Sequence, residues 1–378
     1  MLQNEVILIN TSAPLRNYMK RRPTHYAEIL SRTNRVINIS SAPLKHYFRF
    51  KNTCRWEEKI FFRLPGTKSV MIQKLNKKLY VRFLKKSVKD LPRKPILWNF
   101  YSGNFDMVKS MPNKISVLEI CDDTPEFFRD NPEKYQYVRE NENKMAGFVD
   151  VVFTVSDYLK EKRISLRPDI KVIRNGVNYE DFADVPGLSR TPSDELYSLT
   201  PPIVGYTGAV SHWFDFGLVG EVAGKLPDVH FVFVGRILPE KKESVKRLSE
   251  KSNILFLGER PYPELPHYLK YFDLAHIPFV SNELVRGVNP IKLYEYLAAG
   301  KRVVSTPMPE VGAYQREGVI EVADGAEEYA LALERMLRAK AEKYIETCQR
   351  MARENTWEAR VEEAGKIIRQ RMKELNKT

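Results

Sequence analysis

Lys292 and Glu295 stand three residues apart in the run Val288-Asn289-Pro290-Ile291-Lys292-Leu293-Tyr294-Glu295-Tyr296-Leu297-Ala298-Ala299-Gly300. If the run is helical, that spacing puts a cation and a carboxylate on one face. Pro290 suits a first turn, where its missing N–H costs nothing, and Gly300 suits a C-terminal stop with positive φ. A helix of about three turns is therefore predicted. A lysine in the first turn opposes the helix dipole, and it makes sense where a doubly negative group meets the free N-terminal amides. A carboxylate one turn deeper accepts hydrogen bonds from paired hydroxyls, so phosphates followed by a ribose diol would satisfy both side chains. The plainer alternative is a surface helix with a weak local Lys–Glu pair.

Asp122-Asp123 closes the apolar run Ser116–Cys121. In open parallel sheets ligands gather at the carboxyl ends of strands, and adjacent carboxylates raise one another's pKa, which suits a general base for a hydroxyl. The competing role is that one of them caps a helix starting near Pro125. In Gly205-Tyr206-Thr207-Gly208, two glycines following a strand let backbone approach a ligand closely. No Asp-x-Asp occurs, and none of the six histidines has another ligand near it in sequence, so no metal site is predicted.

The elements that must position these residues alternate along the chain. Strands are predicted at 6–9, 36–39, 96–100, 116–121, 150–155 and 171–173, with helices over 21–30 and 69–90. Between 182 and 202 the pattern lapses into Pro, Gly, Ser and Thr, which places a domain boundary there. A second series of strands follows at 203–208, 230–235, 254–258, 274–277 and 302–305, and a charged amphipathic helix runs from 356 to 375. Strand, helix, strand order with short connections means parallel pairing, so the fold is read as α/β with two doubly wound domains. A chain of 378 residues is long enough for both.

Hydrophobic residues make up 43% and charged residues 29%, a globular balance. The whole formal excess of +13 falls between Lys45 and Lys94, where sixteen Lys and Arg face three acids. Tyr47, Phe48, Phe50, Trp56, Phe61, Phe62, Tyr80 and Phe83 are interleaved with them. Such a mixture suits an anionic membrane surface or nucleic acid. Cys54, Cys121 and Cys348 are far apart and odd in number, which fits a reducing cytosol. The first ten residues show no signal-peptide pattern, and no run of eighteen apolar residues predicts a membrane span.

The run Asn289-Pro290-x-Lys292-x-x-Glu295-Tyr296-Leu297-Ala298-x-Gly300-Lys301-x-Val303-Val304-Ser305-Thr306 resembles the donor-nucleotide motif of GT-B glycosyltransferases. Asn175-Gly176-Val177-Asn178, the Gly205–Gly208 turn with Trp213 and Asp215, and the Arg22-Pro23 helix are similar to their counterparts in bacterial polysaccharide-assembly transferases of the teichuronic acid and xanthan glucuronosyltransferase-like groups. The resemblance covers nearly the whole chain. It implies two Rossmann-like domains facing across a cleft: an acceptor domain (1–182) carrying the basic stretch 45–94, a donor domain (203–355), and a helix (356–378) packing back on the first.

On that resemblance Glu295 takes the ribose hydroxyls, while Lys292 and the amides near Val288 and Asn289 take the diphosphate. Arg236 is a second cation for the leaving group, Gly208 and Thr207 line the donor, and the turn at Gly258-Glu259-Arg260 reads the base. Many retaining members carry a second Glu eight positions before the ribose Glu. Gly287 stands there, which favours inversion with Asp122 or Asp123 as the base. The implied activity is transfer from a nucleotide diphosphate-sugar, UDP foremost, to a lipid-linked or other membrane-borne saccharide. No cofactor, metal or nucleic acid is expected, and the enzyme is placed peripherally on the inner face of the cell membrane. The alternatives are an epimerase or phosphorylase of the same shape and, more remotely, a basic nucleic-acid-binding protein.

Overall fold

The computed structural model describes residues 2–15, 20–43, 55–66, 69–316 and 318–376. It divides into two compact units, Met1–Arg174 with Glu358–Thr378, and Asn175–Trp357.

In the first unit, β1 (Val6–Asn10), β2 (Arg35–Pro43), β3 (Glu57–Arg63), β4 (Ile96–Asn99), β5 (Ile115–Ile120), β6 (Val151–Thr154) and β7 (Lys171–Val172) form one parallel sheet in the order β3-β2-β1-β4-β5-β6-β7. Central strands of such a sheet are covered on both faces and read as unbroken apolar runs. Accordingly β1 and β5 are buried along their whole length, and Ile7 lies in register between Val36 and Ile96. Helices α1 (Arg22–Leu30), α2 (Val70–Lys89) and α3 (Pro132–Phe148) belong to this unit.

The second unit repeats the plan with β8 (Ile203–Thr207), β9 (His230–Val234), β10 (Ile254–Gly258), β11 (Leu274–Ile277), β12 (Val303–Ser305) and β13 (Ile320–Val322), all parallel, in the order β10-β9-β8-β11-β12-β13. Its core includes Val204, Val232, Ile277 and Val304 from the sheet and Leu293 and Leu297 from helix α4 (Ile291–Ala298). Each sheet reverses its strand order once, at β1/β4 and at β8/β11, the places where doubly wound folds open a crevice beyond the carboxyl ends.

The last helix, α5 (Trp357–Leu375), returns to the first unit. Val361, Ala364 and Ile368 are fully buried along one face of it, and Glu358 pairs with Arg32 at 3.1 Å.

Two features depart from expectation. The boundary placed between 182 and 203 lies instead at Arg174/Asn175, because the intervening stretch is part of the second unit. Phe182, Val185 and Leu196 are buried in that unit's core, and Asp194 is held by Lys270 at 2.7 Å and by the Tyr271 hydroxyl at 2.6 Å. Pro and Gly there mark turns over a packed surface, not a linker. Strands β3 and β13 were also unforeseen. Each is an edge strand of its sheet; β13 has only three residues, and in β3, half-buried except at Arg63, Lys and Arg obscure the two-residue alternation that signals a strand.

Among the described residues, aromatics of the basic window are packed within the unit. Phe61, Tyr80 and Phe83 cluster between β3 and α2 with ring centroids 5.1 to 6.4 Å apart, and Trp56 is 6% exposed. What faces outward on α2 is Met71 and Leu75 with Lys74, Lys78, Arg82, Lys85, Lys86 and Lys89. Lys45, Tyr47, Phe48, Phe50 and Cys54 lie outside the described residues. Among the described residues no helix is long and apolar enough to cross a membrane.

Candidate active site

The second unit's strand reversal is crowned by α4. Pro290 is extended (φ −76°, ψ 118°), so the helix opens at Ile291 and runs a little over two turns, shorter than its sequence pattern promised. Gly300, at φ +69°, supplies the stop. Leu293, Tyr294, Tyr296 and Leu297 bury the inner face. The Tyr296 hydroxyl accepts the Thr207 N–H at 2.7 Å, which bolts the helix to the carboxyl end of β8.

That anchorage lays Lys292 across the strand end. Its ammonium lies 4.6 Å from the Phe279 ring centroid and 5.0 Å from that of Tyr206. Its Cε passes 3.0 Å from where a Cβ on residue 208 would sit, so only glycine there, at φ +134°, leaves the lysine its place. Among the described residues no carboxylate forms an ion pair with Lys292. Burial pushes its pKa down to about 8, with Glu295 acting in the opposite sense. Burial likewise pushes Glu295 up to about 7; the Tyr262 hydroxyl and Lys292 offset part of this, and Asp181 adds to it. A cation and a carboxylate held apart by less than full neutralisation, beside the free amides of a helix start, are arranged to receive an anion and hydroxyl donors.

The other expected donor residues fare differently. The Asn289 side chain is consumed internally: Oδ1 accepts the Asn175 N–H at 2.8 Å, and Nδ2 donates to the Tyr294 hydroxyl and to Glu310. Its own N–H meets no acceptor among the described residues and remains available. The Val288 N–H, by contrast, is committed to the Val285 carbonyl at 3.0 Å. Thr207 is spent on Tyr296, with its hydroxyl 3.3 Å from the phenol oxygen. Arg236 is exposed at the rim, directly after Gly235. Arg260 points away: its guanidinium holds Glu195 at 2.8 and 2.9 Å and the Tyr268 hydroxyl at 2.7 Å. The Arg260 side chain is thus engaged by neighbours within its own unit. Tyr262 and Phe279 were missed by sequence reasoning, since each reaches the site from a turn or strand end outside the α4 run; Tyr296 stands in the α4 run, but its anchoring of Thr207 is not marked by any local spacing.

In the first unit the aspartates separate cleanly. Asp123 is 1% exposed and bound by Lys162 at 2.6 Å and Arg163 at 3.1 Å, so it is neither a helix cap nor a free base. Asp122 lines a cavity of about 80 Å³ with Phe100, Tyr101, Cys121 and Thr124. Two other carboxylates reach this cavity, Glu119 and Glu142. They are paired with Arg22 at 2.9 Å and Arg163 at 2.6 Å respectively. Asp122 has no ion pair among the described residues. Burial, then the Asp123 charge, pushes its pKa up to about 7, where a carboxylate can take a proton near neutrality.

Comparison with known proteins agrees with this construction. Residues 202–339 match the family model described as glycosyl transferases group 1. TuaH of Bacillus subtilis (strain 168), a protein ascribed to glycosyl transfer in teichuronic acid biosynthesis, is 28% identical over 275 residues, covering 69% of this chain and 68% of its own. Among solved structures, Anabaena HepE in complex with UDP and glucose superposes with a TM-score of 0.69 at 15% identity, over 97% of this chain and 99% of HepE. Sucrose-phosphate synthase from Thermosynechococcus elongatus does so with a TM-score of 0.73 at 15% identity, over 97% and 99%. Taken with the two parallel, doubly wound sheets and the helix that returns to the first, these matches make the chain a glycosyltransferase of the GT-B fold.

Proposed function

We propose that the protein transfers a sugar from a nucleotide diphosphate donor, UDP-sugar foremost, to a hydroxyl of a lipid-linked or otherwise membrane-borne saccharide, with inversion and without metal. The observation that carries the donor half is Lys292, a cation at a helix start with no carboxylate paired to it among the described residues and with glycine backbone beneath it. A diphosphate fills that place, and Glu295 one turn on accepts the ribose hydroxyls. The lysine and the helix end stabilise the departing diphosphate, which is the work a metal does elsewhere. HepE, solved with UDP and glucose, and TuaH, with its ascribed polymer-assembly role, favour a UDP-sugar and a saccharide acceptor. Inversion is favoured by Gly287, which stands eight positions before Glu295, and by Asp122 in the first unit as the acceptor's base. Phe100 and Tyr101 give the Asp122 cavity aromatic walls against which a sugar face packs.

Calorimetric titration with UDP, GDP and ADP in chelator tests the donor. UDP is expected to bind tightest, and Glu295→Ala to weaken it about 10- to 100-fold, the effect of losing hydrogen bonds to a charged group. Equal binding of UDP by the variant, or binding only after divalent metal is restored, would count against the reading.

The membrane half rests on the outward face of α2, where cations flank exposed Met71 and Leu75. Each basic residue near an anionic surface contributes about 1 kcal/mol. The protein is therefore expected to sediment with phosphatidylglycerol vesicles at low ionic strength and to be released at about 0.5 M salt. Equal sedimentation with neutral phosphatidylcholine vesicles would reject an electrostatic anchor.

A further inference from the structure

The chain enters the second unit at Asn175 and leaves it after Trp357. Both crossings are wired to the residue that precedes α4. Asn175 is 7% exposed; its N–H donates to Asn289 Oδ1 at 2.8 Å, and its Nδ2 donates to the Asn289 carbonyl at 2.6 Å. Asn289 Nδ2 donates to the Tyr294 hydroxyl at 2.9 Å and to Glu310 at 3.2 Å. The Tyr294 ring meets Tyr314 edge-on with centroids 5.7 Å apart, and the Tyr314 hydroxyl donates to Asn355 Oδ1 at 3.0 Å. The Asn355 carbonyl accepts the Val177 N–H, and the Val177 carbonyl accepts the Trp357 N–H, each at 3.0 Å. The circuit closes with Gly176, where a Cβ would come within 2.8 Å of the Asn355 carbonyl oxygen. On the other side of the first crossing, the Arg174 carbonyl accepts from the Arg22 guanidinium at 2.9 Å.

None of these links uses the Lys292 or Glu295 side chain. The members of the ring are buried or half-buried polar groups bound to one another, so the loss of one link is felt by its neighbours. Asn289 belongs both to the ring and, through its free N–H, to the anion site three residues before Lys292.

We infer that Asn175, Asn289, Tyr314 and Asn355 are positioning residues which tie the start of α4 to both crossings, so that a nucleotide seated on the helix also orders segments 175–178 and 355–358. The inference rests on the donor reading above. A diphosphate accepting from the Asn289 N–H fixes that residue, and through it Asn175 on one side and, by way of Tyr294 and Tyr314, Asn355 on the other. By linkage, whatever orders the crossings tightens nucleotide binding by the same factor.

Amide hydrogen exchange on the full chain, with and without UDP, tests this. In the wild type, UDP is expected to slow exchange across 291–297 and, by about tenfold, at 175–178 and 355–358. Tyr314→Phe keeps the ring packing and loses only the link to Asn355; Asn175→Ala loses the link to the Asn289 carbonyl. In Tyr314→Phe the α4 protection is expected to persist while that at 355–358 is reduced to what the Val177 bonds carry, and in Asn175→Ala that at 175–178 is reduced to what the remaining main-chain bond to Asn289 carries. Turnover is expected to fall about tenfold in each, and UDP affinity to weaken by up to the same factor as the crossing protection that is lost, as linkage requires. Protection confined to α4 in the wild type, or crossings protected equally in both variants, would overturn the inference and leave the donor reading standing. No protection at α4 would overturn both.

Discussion

Asp122→Asn is expected to lower kcat by about 10²- to 10⁴-fold, the range a positioned general base supplies, while UDP binding stays near wild type. The amide is isosteric, so the cavity with Phe100, Tyr101 and Thr124 keeps its shape and loses only the proton acceptor. In the wild type the base works as a carboxylate whose pKa burial has raised to about 7, so kcat/KM falls as pH drops through about 7. The variant is expected to lose that acid limb. Asp123→Asn provides the contrast. Its carboxylate neutralises Lys162 and Arg163 in a buried cluster, and removing one partner of such a cluster costs about 3 to 5 kcal/mol of stability. Its defect is expected in thermal unfolding. Full activity in a folded Asp122→Asn protein would move the base elsewhere.

Lys292→Ala is expected to reduce kcat/KM by about 10²- to 10³-fold, because the cation meets both the bound diphosphate and the charge that grows on it as the sugar departs. The lysine also sets a pH dependence of binding. Its pKa in the empty site is about 8, and an anion favours the protonated form, so affinity falls as pH rises above about 8. Glu295 accepts hydroxyl protons only as the carboxylate, and with its pKa near 7 affinity falls below about 7. Titration with UDP-glucose, whose diester diphosphate does not itself titrate in this window, is expected to give tightest binding between these limits. Lys292→Ala is expected to abolish the alkaline limb alone and Glu295→Gln the acid limb alone. A flat profile in the wild type would mean that neither group meets the ligand.

The doubly wound α/β class and the helix with its lysine and carboxylate were legible because each rests on local chemistry. Buried parallel strands are short apolar runs, and a Pro opening with a Gly stop marks a helix. What stayed hidden depends on neighbours far away in sequence. Nothing around Asp123 announces Lys162 and Arg163, so two adjacent aspartates looked alike until their partners were seen. Thr207 and Arg260 stand at or just beyond the carboxyl ends of strands, yet Tyr296 and Glu195 claim their side chains. The aromatics of the basic window read as a surface because lysines separate them, whereas the helical period of α2 turns Tyr80 and Phe83 inward onto Phe61.

The return of α5 to the first unit bears on how the protein is made. Residues 175–357 are contiguous, so a ribosome delivers the second unit whole. The first unit, although begun earlier, lacks the face formed by Val361, Ala364 and Ile368 until the last segment emerges. During synthesis the first unit therefore waits without the element that buries these side chains, and the nascent chain has its greatest need of a chaperone over that interval.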